Sequence, residues 1–206
     1  MIFQTLLVGM TNCYIIGDKE TKDGIIVDPG AYGKEILKKV EELGLKITAI
    51  VLTHGHIDHI GALPEVREAT GAKVMIHADD AEEFAKAGHY LSNYLGTVIS
   101  TKAADRLLQD NDKIEVGKLT LEVIHTPGHT RGGICLKIAP DKVLTGDTLF
   151  AGSIGRYDFP GGSYAQIIDS IKTRLLVFPP ETRAYPGHGP STTIGEEKLN
   201  NPYLID

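Results

Sequence analysis

Short apolar runs alternate along the chain with polar turns and with longer amphipathic segments. Four apolar runs typical of buried strands stand at 6–8, 13–16, 25–27 and 47–52. A helix is predicted over 33–43, where apolar residues recur at helical spacing and Gly44 follows as a stop signal. The recurring residues are Ile36, Leu37, Val40 and Leu43. Strands thus alternate with helices, as in an α/β fold.

The same alternation continues after the fourth run. A helix is predicted over 59–70, followed by a strand at 73–76 and a second helix over 78–87. His77 stands at that junction without neighbouring metal-binding residues, and we interpret it as a turn residue. The pattern over 88–107 is weak, and a loop bordering a site and a short irregular helix both stay open.

The second half of the chain contains two hairpin patterns and two helix starts. Residues 114–116 pair with 119–124 around Gly117-Lys118, and 134–138 pair with 143–145. Capping boxes predict helices that begin after Ser163 and Thr193. Pro179-Pro180 separates the first of these helices from a short strand at 182–185, and the second helix follows that strand. Pro160-Gly161-Gly162 is interpreted as a turn.

Length and charge narrow the class of protein. A chain of 206 residues is long enough for one globular domain, and we assign residues 1–206 to it. The formal net charge of -6 argues against a nucleic-acid surface, which needs clustered Lys and Arg. Apolar runs are too short for a membrane span and the N-terminus has no signal pattern, so we expect a cytoplasmic protein without membrane contact. Cys13 and Cys135 are predicted to be reduced core residues.

The stretch Thr53 to His59 follows the strand at 47–52 and is rich in metal-binding side chains. These are His54, His56, Asp58 and His59. Three imidazoles and a carboxylate crowded at one strand end would repel or desolvate one another without a cation. No cysteine lies in the stretch, so zinc, iron and manganese all suit it. Metal binding is therefore the first inference.

Three later segments repeat this arrangement of a strand, a glycine-bearing turn and a possible ligand. They lead to His129 after His125-Thr126-Pro127-Gly128, to Asp147 after Gly146, and to His188 after Pro186-Gly187. Each motif alone is a weak signal, but four such strand ends in one order form a strong one. With these motifs the sequence resembles the metallo-β-lactamase superfamily from Asn12 to Gly189.

The resemblance implies a single-domain α/β fold, a four-layer αββα sandwich with a metal site at one edge of its two sheets. It implies two divalent cations, with zinc as first choice and iron or manganese as alternatives. One cation would be held by His54, His56 and His129, and the other by Asp58, His59 and His188. Asp147 would bridge them, and Asp58 is also the implied catalytic residue. His125 does not match a ligand position, and we expect it to support its turn.

Two metals about 3.5 to 4 Å apart would hold a bridging hydroxide as the nucleophile. The positive charge of the two cations exceeds the negative charge of the nearby carboxylates and the hydroxide, so an anionic or strongly polarised small molecule would be attracted. A thiolate, with a pKa near 8.5 for free cysteine, leaves with little acid assistance. Thioester hydrolysis therefore demands least of a site without an evident general acid.

Within the superfamily the chain looks most like glyoxalase II and its short relatives. The similarity lies in the stretch from Thr53 to His59, in Gly146 to Phe150 and in Gly152 to Arg156. Arg156 and Tyr157 are the implied substrate-binding residues. True β-lactamases usually carry Cys or Ser where Asp147 stands. Only 18 residues follow His188, too few for the helical glutathione-binding region of the long enzymes.

Two alternatives stay open. The segment Gly155 to Phe159 is similar to the persulfide dioxygenases of the same superfamily, which use one iron at the equivalents of His54, His129 and Asp147. A metal-stabilised binding module without catalysis is the other. Metal content, combined with thioester and persulfide assays, separates all three.

Overall fold

A computed structural model describes residues 1–86 and 103–205. The chain divides into two compact units, the first formed by residues 1–108 with 115–120 and the second by residues 109–114 with 121–206. Two six-stranded sheets and the helices between their strands confirm the α/β class. The assignment of residues 1–206 to a single domain stays a prediction.

The first sheet contains β1 to β6 in chain order. These strands are β1 (Ile2–Val8), β2 (Thr11–Gly17), β3 (Asp23–Val27), β4 (Lys46–Val51), β5 (Lys73–His77) and β6 (Arg106–Leu108). The first three are antiparallel, whereas β3 to β6 run parallel to one another. Since parallel strands end at one edge of a sheet, the residues that follow β3 and β4 are brought together there.

Three helices accompany this sheet: α1 (Gly33–Leu43), α2 (Ile57–Ile60) and α3 (Leu63–Thr70). Gly44 ends α1 in the left-handed conformation, as predicted. The prediction of one helix over 59–70 is wrong, because the segment forms two helices and the first begins at Ile57. Pro64 explains the break, since a proline is tolerated in a first turn but removes a hydrogen bond inside a helix.

Residues after β5 agree with the predicted strand-then-helix order. His77 ends the strand, and its Nδ1 accepts a hydrogen bond from the backbone N–H of Asp79 at 3.3 Å, which is a local turn role. Ala78–Asp80 form a 3-10 turn and residues 81–86 are helical. Most of the weak pattern over 88–107 lies outside the described residues, and its described end contributes to β6, a strand that the pattern did not predict.

The second sheet has the order β14-β13-β10-β9-β8-β7. Its strands are β7 (Lys113–Val116), β8 (Leu119–His125), β9 (Ile134–Ala139), β10 (Lys142–Gly146), β13 (Arg183–Pro186) and β14 (Thr192–Thr193). A separate small hairpin pairs β11 (Leu149–Phe150) with β12 (Ser153–Ile154). Both predicted hairpins are confirmed, and Gly117 takes a positive φ of 59° in the turn of the first.

Both predicted capping boxes are present. Ser163 accepts a hydrogen bond from the N–H of Gln166 at the start of α4 (Tyr164–Ser170), which continues into a π-helical turn at Ile171–Leu175. Thr193 does the same for Glu196 at the start of α5 (Ile194–Asn200). No helix within residues 1–86 and 103–205 is long and apolar enough to cross a membrane.

Candidate metal centre

Four side chains of the first unit that the sequence predicts as metal ligands lie just after β4. His54 and His56 lie in the turn, and Asp58 and His59 lie in α2. The His54 ring centre is 4.6 Å from that of His56 and 4.2 Å from that of His59. His59 Nε2 is 3.7 Å from Asp58 Oδ2. The structure therefore brings this predicted set together.

A buried carboxylate supports this set from the end of the neighbouring strand β3. Asp28 Oδ2 lies 2.9 Å from His59 Nδ1 and accepts a hydrogen bond from Thr53 Oγ1 at 2.6 Å. Its other oxygen, Oδ1, accepts from the Thr53 backbone N–H at 2.8 Å. Asp28, Thr53 and His59 are each at most 2% exposed. The hydrogen bond to Nδ1 fixes the orientation of the His59 ring and leaves its Nε2 available as a metal ligand.

Asp28 was not predicted as a site residue. Its signal was the Asp-Pro-Gly sequence directly after β3, because β3 is the parallel neighbour of the strand that carries the histidines. A second residue that the sequence did not indicate is Thr11, whose hydroxyl donates to Asp58 Oδ2 at 3.4 Å. Thr11 is fully buried at the start of β2.

In the second unit the predicted ligands come from three strands that run in one direction. β8 and β10 are both antiparallel to β9, and β13 is parallel to β10, so all three end at the same edge of the sheet. His129, Asp147 and His188 follow these ends. The Nε2 atoms of His129 and His188 lie 3.5 and 3.4 Å from the same oxygen, Asp147 Oδ2. This set is also brought together.

The ring of His129 is oriented by a backbone carbonyl. Its Nδ1 lies 2.7 Å from the carbonyl oxygen of Arg156, which accepts a hydrogen bond from the ring when Nδ1 carries the proton. His125 has the supporting role that we expected, since its Nε2 lies 2.9 Å from the Arg131 carbonyl oxygen in the same turn.

Arg156 and Tyr157, the implied substrate-binding residues, lie on the loop after β12. The Arg156 guanidinium donates from Nε and Nη2 to the two oxygens of Asp158, at 3.0 and 2.9 Å. It also lies 4.0 Å from the centre of the Phe159 ring. Its hydrogen bonds to Asp158 raise the pKa of Arg156 and lower the pKa of the carboxyl. Tyr157 packs edge-on against Tyr164, with ring centres 4.9 Å apart.

The donors in both sets suit a divalent cation of the zinc, iron or manganese kind. They are imidazole nitrogens and carboxylate oxygens, and no cysteine is among them. Both histidines whose Nδ1 contacts are described above, His59 and His129, keep Nε2 for a ligand position. The chemistry of the donors therefore fits the cations that the sequence predicts.

Comparison with known proteins agrees with this chemistry. The family description "Metallo-beta-lactamase superfamily" matches residues 6–188. Hydroxyacylglutathione hydrolase GloC of Haemophilus influenzae is 37% identical over 196 residues, which cover 94% of this chain and 92% of the relative. The two sequences therefore align over nearly all of both chains.

Two solved structures resemble the whole chain. The B3 metallo-beta-lactamase BLEG-1 is 34% identical, with a TM-score of 0.90 and complete coverage of both chains. TTHA1623, whose crystal structure is of a di-iron-bound form, is 35% identical, with a TM-score of 0.84 and coverage of 99% of this chain and 100% of that one. The predicted α/β fold class of the metallo-β-lactamase type is confirmed.

Proposed function

The chain belongs to the metallo-β-lactamase superfamily of metallo-hydrolases, and from that premise we propose that it hydrolyses thioesters in the manner of glyoxalase II. The observation that carries the proposal is the similarity to hydroxyacylglutathione hydrolase GloC over nearly the full length of both proteins. The carboxylate at position 147 adds support, because the resemblance places Cys or Ser there in true β-lactamases.

In this proposal the two ligand sets serve a single binuclear centre. His54, His56 and His129 hold one cation, Asp58, His59 and His188 hold the other, and Asp147 is shared. Seven ligands are more than one zinc ion uses, which favours a pair of ions. The di-iron form of TTHA1623 supports a pair as well. Zinc is the first choice, and iron and manganese suit the same donors.

A bound metal pair would supply a Lewis acid for the thioester carbonyl and lower the pKa of a water molecule. The side chains of the protein orient the ligands and the substrate. Asp28 holds His59, and the Arg156 carbonyl oxygen holds His129. Asp58, with its carboxylate beside His59 Nε2, is the proposed catalytic residue and a ligand at once.

Arg156 and Tyr157 are the proposed substrate-binding pair. The Arg156 guanidinium already binds one carboxylate in two-point fashion, that of Asp158, and both side chains are more than half exposed. A carboxylate or other anionic group of a substrate can take the place of Asp158 there, since an exposed ion pair contributes little stability.

The test is metal quantification on protein purified without added metal, paired with hydrolysis of S-lactoylglutathione. We expect two metal equivalents and thioester turnover that the D147A substitution abolishes. D141A is the matched control, because Asp141 is an exposed aspartate at the β9–β10 turn of the same unit.

Other outcomes assign other functions. One iron with oxygen consumption on glutathione persulfide would support the dioxygenase that residues 155–159 resemble. Turnover of a β-lactam without thioester hydrolysis would support the activity named for BLEG-1. Metal binding without any turnover would leave the binding module.

A further inference from the structure

A cleft of about 650 Å³ opens in the first unit between the loop that follows β3 and one side of helices α2 and α3. Its volume lies in the range of small-molecule sites, roughly 300 to 1,000 Å³. The lining residues on the loop side are Gly30, Ala31, Tyr32, Gly33, Lys34 and Glu35. Those on the helix side are Ile57, Asp58, Gly61, Ala62 and Glu65.

Close backbone contacts hold the walls of this cleft together. A Cβ atom on Gly30 would lie 1.8 Å from the Asp58 carbonyl oxygen, and one on Gly61 would lie 2.3 Å from the Gly30 carbonyl oxygen. The loop and helix α2 can approach so closely only because both positions are glycine. The cleft is therefore formed by the fold itself and needs no ligand to order it.

Tyr32 stands at the rim in an unfavourable backbone conformation. It begins α1 with φ 56° and ψ 52°, in the left-handed region, and makes no capping hydrogen bond with its side chain. Tyr32 as a residue is 58% exposed, so burial of its side chain does not explain the conformation. Strained residues of this kind concentrate at ligand sites. The backbone here projects an aromatic ring beside the cleft.

The chemistry of the walls selects the kind of ligand. Accessible surface in the cleft is mainly apolar, and Ala31, Ile57, Ala62 and the Tyr32 ring can contribute to it. Lys34 is the one basic residue among those that line the cleft, against the carboxylates of Glu35, Asp58 and Glu65, so the walls do not favour an anionic ligand. An uncharged apolar group is the ligand that gains most from these walls.

The position of the cleft relates it to the metal-binding stretch. Ile57 and Asp58 belong both to the cleft wall and to that stretch. A group bound in the cleft therefore lies next to Asp58, the proposed catalytic residue. We propose that the cleft binds the acyl group of the thioester substrate and selects an apolar chain of several carbons over an acetyl group. This inference rests on the proposed thioester hydrolysis and adds the substrate class.

The first test compares acetyl, butyryl and hexanoyl thioesters of N-acetylcysteamine on metal-loaded protein. In a closed hydrophobic pocket, one methylene group more or less on the substrate changes kcat/KM by about 10-fold or more. For this open cleft we expect kcat/KM for the hexanoyl thioester to exceed that for the acetyl thioester by about 10-fold, mostly through KM. In the Y32G variant this ratio should fall to about 2-fold, because the aromatic wall is removed while glycine accepts the backbone conformation.

K22G is the matched control. Lys22 also has a positive φ, 64°, and is exposed, but it lies outside the cleft. The substitution relieves the same kind of strain without changing a cleft wall, so the hexanoyl-to-acetyl ratio should stay at the wild-type value. An equal kcat/KM for all three chains, or an equal loss of the ratio in both variants, would overturn the proposal.

The second test needs neither metal nor turnover. The thioether S-hexyl-N-acetylcysteamine, which has no carbonyl to hydrolyse, is titrated into metal-free protein and followed by amide NMR shifts. We expect shifts at residues 30–35 and 57–65, and weaker shifts in Y32G. Shifts confined to residues 155–164 would refute an acyl site in the cleft. If thioesters are not hydrolysed at all, the proposed function fails, whereas hydrolysis without chain selection refutes only the acyl site.

Discussion

His59 Nδ1 lies 2.9 Å from Asp28 Oδ2, and both side chains are almost completely buried. A carboxylate in this place keeps the proton on Nδ1 and makes Nε2 more basic, so Nε2 binds a metal ion more strongly. We therefore predict that D28N lowers metal affinity about 10- to 100-fold, the usual effect of losing such a partner. Competition with a chromophoric chelator measures it.

Asparagine is chosen for this variant because Asp28 has a positive φ of 53°, a conformation that asparagine tolerates. The control is D23N at the other end of the strand that Asp28 follows, since Asp23 begins β3 and does not contact a histidine within the described contacts. Equal metal affinities for the two variants would show that the Asp28 carboxylate does not support the site.

A second prediction concerns the shared carboxylate. Two imidazole Nε2 atoms lie within 3.5 Å of Asp147 Oδ2, so one oxygen is the common neighbour of His129 and His188. Replacing the charged group by the neutral amide in D147N should reduce metal content from two equivalents toward one. Elemental analysis after dialysis measures the ratio, and two retained equivalents would argue against a bridging role.

Metal removal should also lower thermal stability. A cation that binds only the folded chain stabilises it by about 2.7 kcal/mol when its concentration is 100 times Kd. We expect a chelator to lower the Tm and added zinc, iron or manganese to restore it. Combining D28N with this measurement is informative, because weaker binding predicts a smaller Tm difference between loaded and stripped protein. An identical Tm with and without chelator would contradict metal binding.

Periodic patterns predicted much of this fold because they record which face of an element is buried. Helix α1 illustrates this, since Ile36 and Val40 are buried as the pattern requires and Gly44 ends the helix. Strands of two residues, such as β11, β12 and β14, are too short for any period to be recognised. The break between α2 and α3 was missed although Pro64 signalled it.

The candidate ligands could be predicted because each follows a strand and a glycine-bearing turn. Their supporting residues could not, because Asp28 and Thr11 lie more than 25 residues before the histidines and share no motif with them. Asp158 was missed for another reason. Its contact with Arg156 depends on rotamers of two exposed side chains, which no local sequence pattern determines.

The two cysteines are buried and free, as predicted, and this gives a prediction about pH. Burial raises the pKa of the Cys135 thiol from 9.0 to about 11, and burial and the nearby Asp28 raise the pKa of Cys13 as well. Between the two pKa values the thiols of the folded protein therefore stay protonated, whereas those of the unfolded chain are ionised. The contribution of the Cys135 thiol to the free energy of unfolding should be fully present at neutral pH, begin to fall as the pH rises toward 9, and be lost by about pH 11.

The expected loss from Cys135 over that interval is roughly 2 to 3 kcal/mol, since one pKa unit corresponds to about 1.4 kcal/mol. Urea denaturation of C135A across the same pH range is the comparison, because alanine has no thiol to ionise. A variant that loses stability as steeply as the wild type would show that the slope has another origin. The folded protein should also resist alkylation at pH 8, where the buried thiols are protonated.

The last prediction concerns Glu197, a carboxylate of α5 that is 2% exposed. Its Oε2 accepts hydrogen bonds from the Gly152 N–H at 2.9 Å and from Asn201 Nδ2 at 2.7 Å, and its Oε1 accepts from Thr192 Oγ1 at 2.6 Å. Both oxygens of the side chain are therefore used as acceptors. They connect the helix to β14 and to the turn between β11 and β12.

A glutamine at this position has the same shape but only one acceptor oxygen. If that oxygen replaces Oε2, the NH₂ group faces Thr192 Oγ1, and this hydroxyl must change from donor to acceptor. We predict that E197Q lowers the free energy of unfolding by about 1 to 2 kcal/mol, because hydrogen bonds to a charged carboxylate are replaced by weaker ones to a neutral amide. E196Q, on the exposed side of the same helix, should change it by less than about 0.5 kcal/mol. Urea denaturation compares the two variants. Equal stability would mean that the hairpin is held by apolar contacts such as those of the buried Leu149 and Ile154, and not by the carboxylate.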